Sequence, residues 1–203
     1  SLAAVCGVRQ ERYVDDAQAL GDGDELALLP PVSGGSGVGA DFERCVLELS
    51  AAIGALWALN NGMDPVLLIL PADHHIQMVD TFQKALETGY TYARAGHLIT
   101  FGIIPEKPET GYGYIRMGQP LPSAGVEGEA VAIAAFVEKP SLATAREYVA
   151  SKAYCWNSGM FMFRASVYLE ALQQHSPEIY QVSQTAFNAA SRDADFIRIG
   201  INE

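Results

Sequence analysis

The stretch Val66–Ile76 reads VLLILPADHHI and decides the predicted fold. Five consecutive apolar residues, Val66–Leu70, are typical of a strand that is covered on both faces, as in a parallel sheet. Pro71 has no N–H to donate, so we expect the pairing of this strand to end there. Asp73 then follows the carboxyl end of the strand, which is the edge where open α/β sheets bind ligands.

Asp73 has two interpretations that its position alone leaves open. A carboxylate at such an edge can bind a divalent cation, and the cation can in turn bind phosphates. Alternatively, Asp73 only caps the helix that follows the strand. The motifs further along the chain decide between the two.

The composition is that of a globular protein, with 203 residues, 49% hydrophobic and 18% charged. This length suits one α/β domain, with or without a small appendage. The net charge of −11 disfavours non-specific binding to nucleic acid or to an anionic membrane, and no apolar run reaches spanning length. Cys6, Cys45 and Cys155 form no CxxC pair, which predicts reduced thiols and a cytoplasmic location.

Two parts are predicted along the chain: a short β-rich segment at residues 1–35 and a larger α/β domain at residues 36–203. In the first part, Leu2–Val5 and Glu11–Val14 are strand candidates, and Glu25–Leu29 continues the β pattern. Two prolines after Leu29 argue against a central strand at that point.

The run LGDGDELALLPPVSGG at Leu20–Gly35 resembles the C-terminal tail of the small, ubiquitin-like subunit of molybdopterin synthase. The resemblance implies a sulfur carrier, in which a terminal Gly-Gly carboxylate becomes a thiocarboxylate. Because this chemistry needs a free carboxylate, the chain could act in that way only after cleavage following Gly35.

Gly34, Gly35 and Gly37 belong to a glycine-rich loop ahead of a predicted helix. Such a loop lets backbone amides approach a phosphate, especially where a helix begins next, and Asp41 suits the cap position of that helix. The absence of GKS or GKT after the glycines excludes a P-loop. A flexible linker between two parts of the chain is the alternative.

Apolar spacing predicts further elements around the Val66–Leu70 strand. A helix over Gln77–Ala95 and a second buried strand over Leu98–Ile104 complete a strand–helix–strand unit, which is expected to be right-handed. A last helix begins with Pro177 at its first position. The inward-facing positions are predicted to be Phe42, Val46, Leu49, Ile53 and Leu56 on the first helix, Val79, Phe82, Leu86, Tyr90 and Ala93 on the second, and Ile179, Val182 and Phe187 on the last.

Between these elements, four more segments are predicted from composition and periodicity. Gly118–Glu129 is polar and rich in Gly and Pro, which predicts an exposed loop. Ala130–Val137 is a β run, and Ser141–Ser151 is a short helix with a good cap. Met160–Phe163 is a core strand.

The segment Glu109–Ile115 reads ETGYGYI and is a candidate ligand loop. Gly111 and Gly113 leave the backbone bare on each side of Tyr112, so amides could reach hydroxyl groups while the ring gives an apolar contact. A simple hairpin turn is the alternative, because it uses glycines equally well.

Two further polar groups follow predicted strands. Glu138 and Lys139 could divide the recognition of a sugar phosphate between hydroxyls and phosphate, or could be an exposed ion pair of little energetic value. Asn157 lies among apolar and aromatic residues, so its amide needs a partner from the backbone or from a ligand.

Four stretches match one family in the same order: LPADH at Leu70–His74, FGIIPEKPETGYGYI at Phe101–Ile115, FVEKP at Phe136–Pro140 and WNSGMFMF at Trp156–Phe163. Together they resemble the bacterial mannose-1-phosphate guanylyltransferase family, over about residues 60–199. The resemblance implies an α/β fold with a Rossmann-like nucleotidyltransferase sheet and flanking helices, incomplete in this chain. It also implies transfer of GMP from GTP to mannose 1-phosphate, giving GDP-mannose and pyrophosphate.

The resemblance gives each matching residue a role. Asp73 and Lys139 would be catalytic, Asp73 by binding Mg2+ next to the nucleotide and Lys139 by binding the sugar phosphate. Glu138 would accept hydrogen bonds from sugar hydroxyls. The other residues expected to line the sugar pocket are Gly111, Tyr112, Gly113 and Asn157. The nucleotide would lie against Gly34, Gly35, Gly37 and Asp73.

The first half of the chain departs from the family pattern. Ser33–Gly37 reproduces an SGGSG signature, but Val38 and Gly39 stand where the family has Thr and Arg. The base-binding segment would fall at Arg44–Ala52, which lacks the expected polar residues. The chain also ends before the family's second metal-binding carboxylate, so nucleotide binding is expected to be impaired.

Three hypotheses follow. The first is a mannose-1-phosphate guanylyltransferase, active or impaired, with mannose 1-phosphate and GTP as partners and a homodimer left open. The second is a non-catalytic module that binds sugar phosphates or regulates another protein. The third is a sulfur-carrier fusion that is processed after Gly35.

Overall fold

The computed structural model describes residues 2–8, 26–29, 38–71, 74–122, 125, 130–193 and 196–199. Four predicted features therefore lie outside the described residues: the strand Glu11–Val14, the glycines Gly34, Gly35 and Gly37, the sulfur-carrier junction after Gly35, and Asp73. The described strands are β1 Leu2–Val8, β2 Leu26–Leu29, β3 Val66–Pro71, β4 Leu98–Ile103, β5 Gly113–Pro120, β6 Ala130–Glu138, β7 Tyr154–Arg164, β8 Ser191–Asp193 and β9 Phe196–Arg198. The described helices are α1 Val38–Asn60, α2 Val79–Arg94, α3 Leu142–Ser151, α4 Ala165–His175 and α5 Pro177–Asn188.

The chain divides into two compact units, each built from two separate segments. The first unit contains residues 1–31 and 68–163, and the second contains residues 32–67 and 164–203. The boundary predicted between residues 35 and 36 stays a prediction. Within the first unit, β1 pairs with β4 and β6, so this N-terminal strand belongs to the same sheet as strands from later in the chain.

The described strands of the first unit form one mixed sheet in the order β2-β3-β7-β4-β1-β6-β5, and β7 also pairs with β5. The pairs β1–β4 and β2–β3 are parallel. The pairs β4–β7, β5–β6 and β5–β7 are antiparallel. The predicted α/β fold with a nucleotidyltransferase-type sheet is confirmed, although the sheet is mixed where the apolar run of β3 had suggested an all-parallel one.

Strand β3 confirms the prediction made from the opening stretch. It ends at Pro71, whose register partner on β2 is Leu29. Leu67 and Ile69 are buried, and the other residues of the strand are half-buried. Neither face is exposed, so the continuous apolar run reflects cover on both sides.

Helix α2 is confirmed, but its buried face is rotated from the predicted one. Val79 and Tyr90 are 52% and 47% exposed, so their inward assignment is wrong. Buried positions include Gly89, where an added Cβ would lie 2.9 Å from Cζ of Phe101. The helix approaches the sheet through its smallest residue, and that close approach, rather than the largest apolar side chains, sets the buried face.

Helix α1 begins at Val38, so Asp41 lies inside the helix and is not its cap. Acidic residues are favourable throughout a first helical turn as well as at the cap, so composition does not distinguish these positions. Among residues 47–60 of this helix, whose burial is described, the deepest positions are Ala51, Ala52, Ala55 and Ala58, whereas the predicted positions Leu49, Ile53 and Leu56 are half-buried. The predicted positions Phe42 and Val46 lie outside the residues whose burial is described. Small side chains let neighbouring elements pack closely against this face.

Two further predictions need correction. Gly118 belongs to β5, which continues to Pro120, so the predicted exposed loop begins later; an added Cβ on Gly118 would lie 2.7 Å from the carbonyl oxygen of Ala132. On α5, Val182 is 60% exposed, so its predicted inward position is wrong, and the neighbouring Ser183 is buried instead. The Ser183 hydroxyl donates to the Ile179 carbonyl at 2.7 Å, which satisfies the polar group in the core.

Both helix starts that the sequence predicted in the second half are confirmed. Ser141 caps α3, and its hydroxyl accepts from the Thr144 N–H at 3.2 Å. Pro177 is at the first turn of α5, where its missing N–H costs nothing. Among the described helices, none combines the length and apolarity needed to cross a bilayer.

In the second unit, Asp64 caps helix α4 from a distant segment. Its carboxylate accepts from the Ser166 N–H at 2.9 Å and from the Ser166 hydroxyl at 2.8 Å. Arg164 Nε lies 3.4 Å from the same carboxylate, an ion pair without hydrogen-bond geometry. The backbone adds a further tie, because the Ala165 N–H donates to the Pro65 carbonyl at 3.0 Å.

Gly89→Ala tests the packing of α2. A mid-helix Gly→Ala change ordinarily stabilises by about 0.5–1 kcal/mol, but here the new methyl meets the buried Phe101 ring, so we expect a loss of about 1–3 kcal/mol. Gly54→Ala in α1 is the matched control, because nothing lies within 4 Å of its added Cβ. Urea denaturation of both variants measures the effect; equal stabilisation by both would contradict the packing.

Asp64→Ala tests the remote cap of α4. Loss of both hydrogen bonds to Ser166 is expected to lower the free energy of unfolding by about 1 kcal/mol. Glu170→Ala, which removes an exposed carboxylate from the same helix, is the control. If both variants unfold at the same urea concentration, the cap contributes nothing measurable.

Candidate functional site

One row of residues across three strands brings the predicted sugar-binding groups together. Gly113 on β5 pairs with Glu138 on β6, and Tyr114 on β5 pairs with Trp156 on β7. Continuing the second register by one residue places Gly113 opposite Asn157. Directly opposed residues share a face of the sheet, so Asn157 and Glu138 flank a bare glycine with their Cα atoms about 10 Å apart.

Gly113 has no side chain because Glu138 uses the space. An added Cβ on Gly113 would lie 2.5 Å from Oε1 of Glu138, whereas one on Gly111 would meet nothing within 4 Å. Neither glycine has a positive φ. The two glycines of the motif therefore differ in role, and only Gly113 controls where the Glu138 carboxylate lies.

Lys139 follows Glu138 in a strained backbone conformation. Its φ is 46°, in the left-handed region that non-glycine residues rarely adopt. Its N–H donates to the carbonyl of Tyr112 at 3.2 Å. Glu138 and Lys139 are both exposed, so a carboxylate and an ammonium group lie at the open end of β6, next to the glycine loop.

The ETGYGYI segment is not a hairpin turn. In the described sheet, β4 and β5 do not pair with each other, because β7 lies between them. The loop that joins them is held by Tyr114, whose hydroxyl donates to the Glu109 carbonyl at 2.8 Å, and by an ion pair of Lys107 and Glu109 at 2.6 Å. The segment is therefore an ordered loop, and its contact with a ligand stays a prediction.

Tyr112 packs on the opposite side of the loop from the bare glycine row. Its ring is edge-on to Trp156, with centroids 5.2 Å apart, and it remains 47% exposed. Trp156 belongs to the buried cluster of Ile103, Tyr114 and Ala145 beneath the site. Its indole N–H is buried and donates to no described residue.

The aromatic cluster continues toward α3. Tyr148 stacks on Tyr154 with centroids 3.9 Å apart and lies 5.4 Å from the ring of Tyr114. Desolvation, together with the neighbouring Tyr154 hydroxyl, raises the pKa of Tyr148 above its ordinary value. The cluster supports the β5–β7 pair from the side away from Asn157.

Asn157 is oriented by two partners that both contact its Oδ1. The Thr100 hydroxyl lies 3.1 Å away and the Gly159 N–H donates from 3.2 Å. Gly159 has a φ of 73° and stands in an irregular stretch of β7. Oδ1 of Asn157 thus has two partners, whereas its amide nitrogen donates to none of the described residues.

Thr100 and Gly159 are functional candidates that the sequence reasoning missed. Thr100 is fully buried. It is the one polar side chain in the predicted strand LITFGII, and a buried hydroxyl needs a partner. That signal was present, but nothing in the sequence showed that the partner would be Asn157.

The end of β3 lies beside this irregular stretch of β7. An added Cβ on Gly159 would lie 3.6 Å from Cγ of Pro71, the last residue of β3. Asp73 itself lies outside the described residues. Among those that are described, no three His, Cys, Asp or Glu side chains come together in a way that could hold a metal ion.

Several known proteins are similar to this chain in sequence. A mannose-1-phosphate guanylyltransferase of Escherichia coli is 52% identical over 138 residues, which are 67% of this chain and 28% of the relative. The xanthan biosynthesis protein XanB of Xanthomonas campestris is 51% identical over 148 residues, 73% of this chain and 30% of that protein. The chain thus spans about 30% of the length of these relatives.

A solved structure shares the fold. The mannose-6-phosphate isomerase of Helicobacter pylori matches with a TM-score of 0.63 and 30% identity, covering 75% of this chain and 56% of that one. The nucleotidyl transferase family model matches residues 48–201. Since this match takes in the β3 strand, the ETGYGYI loop, the Glu138–Lys139 pair and Asn157, the chain belongs to the nucleotidyl transferase family.

Proposed function

We propose that this chain takes part in sugar-nucleotide synthesis as a mannose-1-phosphate guanylyltransferase. It would transfer GMP from GTP to mannose 1-phosphate and release pyrophosphate. The observation that carries the proposal is the row of Asn157, Gly113 and Glu138, which joins a hydrogen-bonding amide, a bare backbone and a carboxylate on one face of the sheet. The family match and the names of the relatives support the same reaction.

The row suits a hexose ring. A carboxylate accepts hydrogen bonds from hydroxyl groups, and charge assistance makes these bonds stronger than neutral ones. The sugar ring would lie over Gly113, where no side chain intervenes. Lys139, which follows Glu138 at the end of β6, would bind the sugar phosphate through the compact charge of its ammonium group.

The chemistry needs positioning more than covalent participation. A phosphate oxygen of mannose 1-phosphate attacks the α-phosphorus of GTP; the new P–O bond forms as the bond to pyrophosphate breaks, and pyrophosphate leaves with the bonding electrons. Catalysis then comes from alignment and from neutralising charge. Lys139 contributes by holding the attacking phosphate in place.

The nucleotide side of the site rests on residues outside the described ones. Asp73 would hold Mg2+, which supplies charge neutralisation to the nucleotide phosphates when bound. One or two carboxylates together with substrate phosphates are enough for this ion, so a cluster of three protein ligands is not required. The amides of Gly34, Gly35 and Gly37 would face the phosphates. The cytoplasmic location and a homodimer remain predictions.

A non-catalytic sugar-phosphate-binding module is the second candidate. It is favoured by Val38 and Gly39, which stand where the resemblance leads us to expect Thr and Arg for binding the triphosphate. Each lost interaction of about 1.4 kcal/mol in the transition state lowers the rate tenfold.

A pyrophosphate-release assay with Mg2+, GTP and mannose 1-phosphate tests the proposed reaction. We expect release that requires both substrates, and we expect Glu138→Gln to lower kcat/KM about 10- to 100-fold, because a charge-assisted hydrogen bond is worth about 1.5–3 kcal/mol. Glu147→Gln on α3 removes another exposed carboxylate and is the control. Binding of mannose 1-phosphate by calorimetry without any release would favour the non-catalytic candidate.

Gly113→Ala tests the role of the bare glycine. The new methyl displaces the Glu138 carboxylate, and a misplacement of about 1 Å can lower kcat/KM about a hundredfold. Gly111→Ala, with open space around it, is expected to cause a smaller loss. Thermal melting of both variants checks that they fold, and equal losses of kcat/KM would refute the distinction between the two glycines.

A further inference from the structure

We propose that Thr100 is a positioning residue that, together with the Gly159 N–H, holds the oxygen of Asn157 inward, so that this end of the site offers a hydrogen-bond donor to an oxygen of the sugar. The inference rests on the proposed function, because it specifies how the same site reads its substrate. It concerns a strand, β4, to which the sequence had given no role in binding.

Gly159 decides which end of the Asn157 amide faces inward. A backbone N–H can only donate, and it lies 3.2 Å from the inward atom of the amide. That atom must therefore be the oxygen. The opposite orientation would place two donors against each other and lose the hydrogen bond.

Thr100 reinforces this choice from the neighbouring strand. Its hydroxyl is fully buried and lies 3.1 Å from Oδ1 of Asn157 and 2.9 Å from the carbonyl oxygen of Met160. Both neighbours are acceptors, so the single hydroxyl proton is directed toward this side of the irregular stretch of β7. One buried group thus ties the two ends of Asn157–Met160 to β4.

The consequence is a site with two unlike ends. The Asn157 nitrogen, turned away from both partners, can only donate, whereas the carboxylate oxygens of Glu138 accept. Gly113 lies between them and contributes no side chain. A sugar hydroxyl facing Asn157 acts as an acceptor and one facing Glu138 as a donor, so the two ends of the row place different demands on the hydroxyl that they meet.

Calorimetry with mannose 1-phosphate analogues tests this polarity without requiring turnover. In each analogue, one hydroxyl is replaced by hydrogen or by fluorine, which can accept weakly but cannot donate. For the wild-type protein, we expect one position at which the fluoro analogue binds more tightly than the deoxy analogue, namely the position that faces Asn157.

The variants then assign the effect to Thr100. Thr100→Val removes the hydroxyl while keeping the shape. Because the Gly159 N–H then holds Oδ1 of Asn157 alone, we expect the fluoro-to-deoxy affinity ratio at that position to fall below the wild-type ratio, with roughly tenfold weaker binding of mannose 1-phosphate. Thr100→Ser should restore the ratio. Thr88→Val, which removes another buried threonine hydroxyl from the same unit, should leave the ratio unchanged.

Asn157→Asp keeps the test decisive if Thr100→Val fails to fold. Its inward oxygen still accepts from Thr100 and Gly159, but its outward atom becomes an acceptor, so the preference for fluorine should disappear. A preference that persists in Asn157→Asp, or that is undiminished in a folded Thr100→Val, overturns the inference and leaves the proposed function standing. Wild-type protein that binds no mannose 1-phosphate overturns the proposed function and this inference together.

Discussion

The pairing of β5 with both β6 and β7 is the constraint on which the candidate site depends. It places a glycine between a carboxylate and an amide that are distant in sequence. The Gly113–Glu138 pair and the β5–β7 register, continued one residue beyond Tyr114 and Trp156, keep all three on one face. A slip of one residue would send Glu138 and Asn157 to the opposite face of the sheet. The aromatic cluster around Tyr114 and Trp156 holds that register from the other side.

Backbone conformations with positive φ lie at both ends of this row. Lys139 is held at positive φ by the end of β6 and by its bond to Tyr112, and Gly159 interrupts β7 just where Asn157 needs a backbone donor. Irregular strand geometry of this kind often re-aims a side chain next to a functional site. The surrounding regular pairing supplies the rigidity that such conformations require.

The sequence predicted the elements well wherever the signal was local. The β3 run, the Ser141 cap and the start of α5 at Pro177 each follow from the chemistry of one or two residues, and each is confirmed. The buried faces of the helices were predicted less well. Tyr90 is exposed and Gly89 buried because close approach to Phe101, a feature of the packed state, outweighs hydrophobic periodicity.

By itself, the sequence determined the family, because the family is recognised from the order of its motifs. It also determined the order of the strands and helices in its second half and the residue types at the strand ends, because these depend on short-range chemistry. Only the tertiary structure decided that Gly113 makes room for Glu138 and that Asn157 turns its nitrogen outward. The physical reason is that these choices arise from contacts across strands: Thr100 and Asn157 are 57 residues apart in the chain and meet only when β4 and β7 pair.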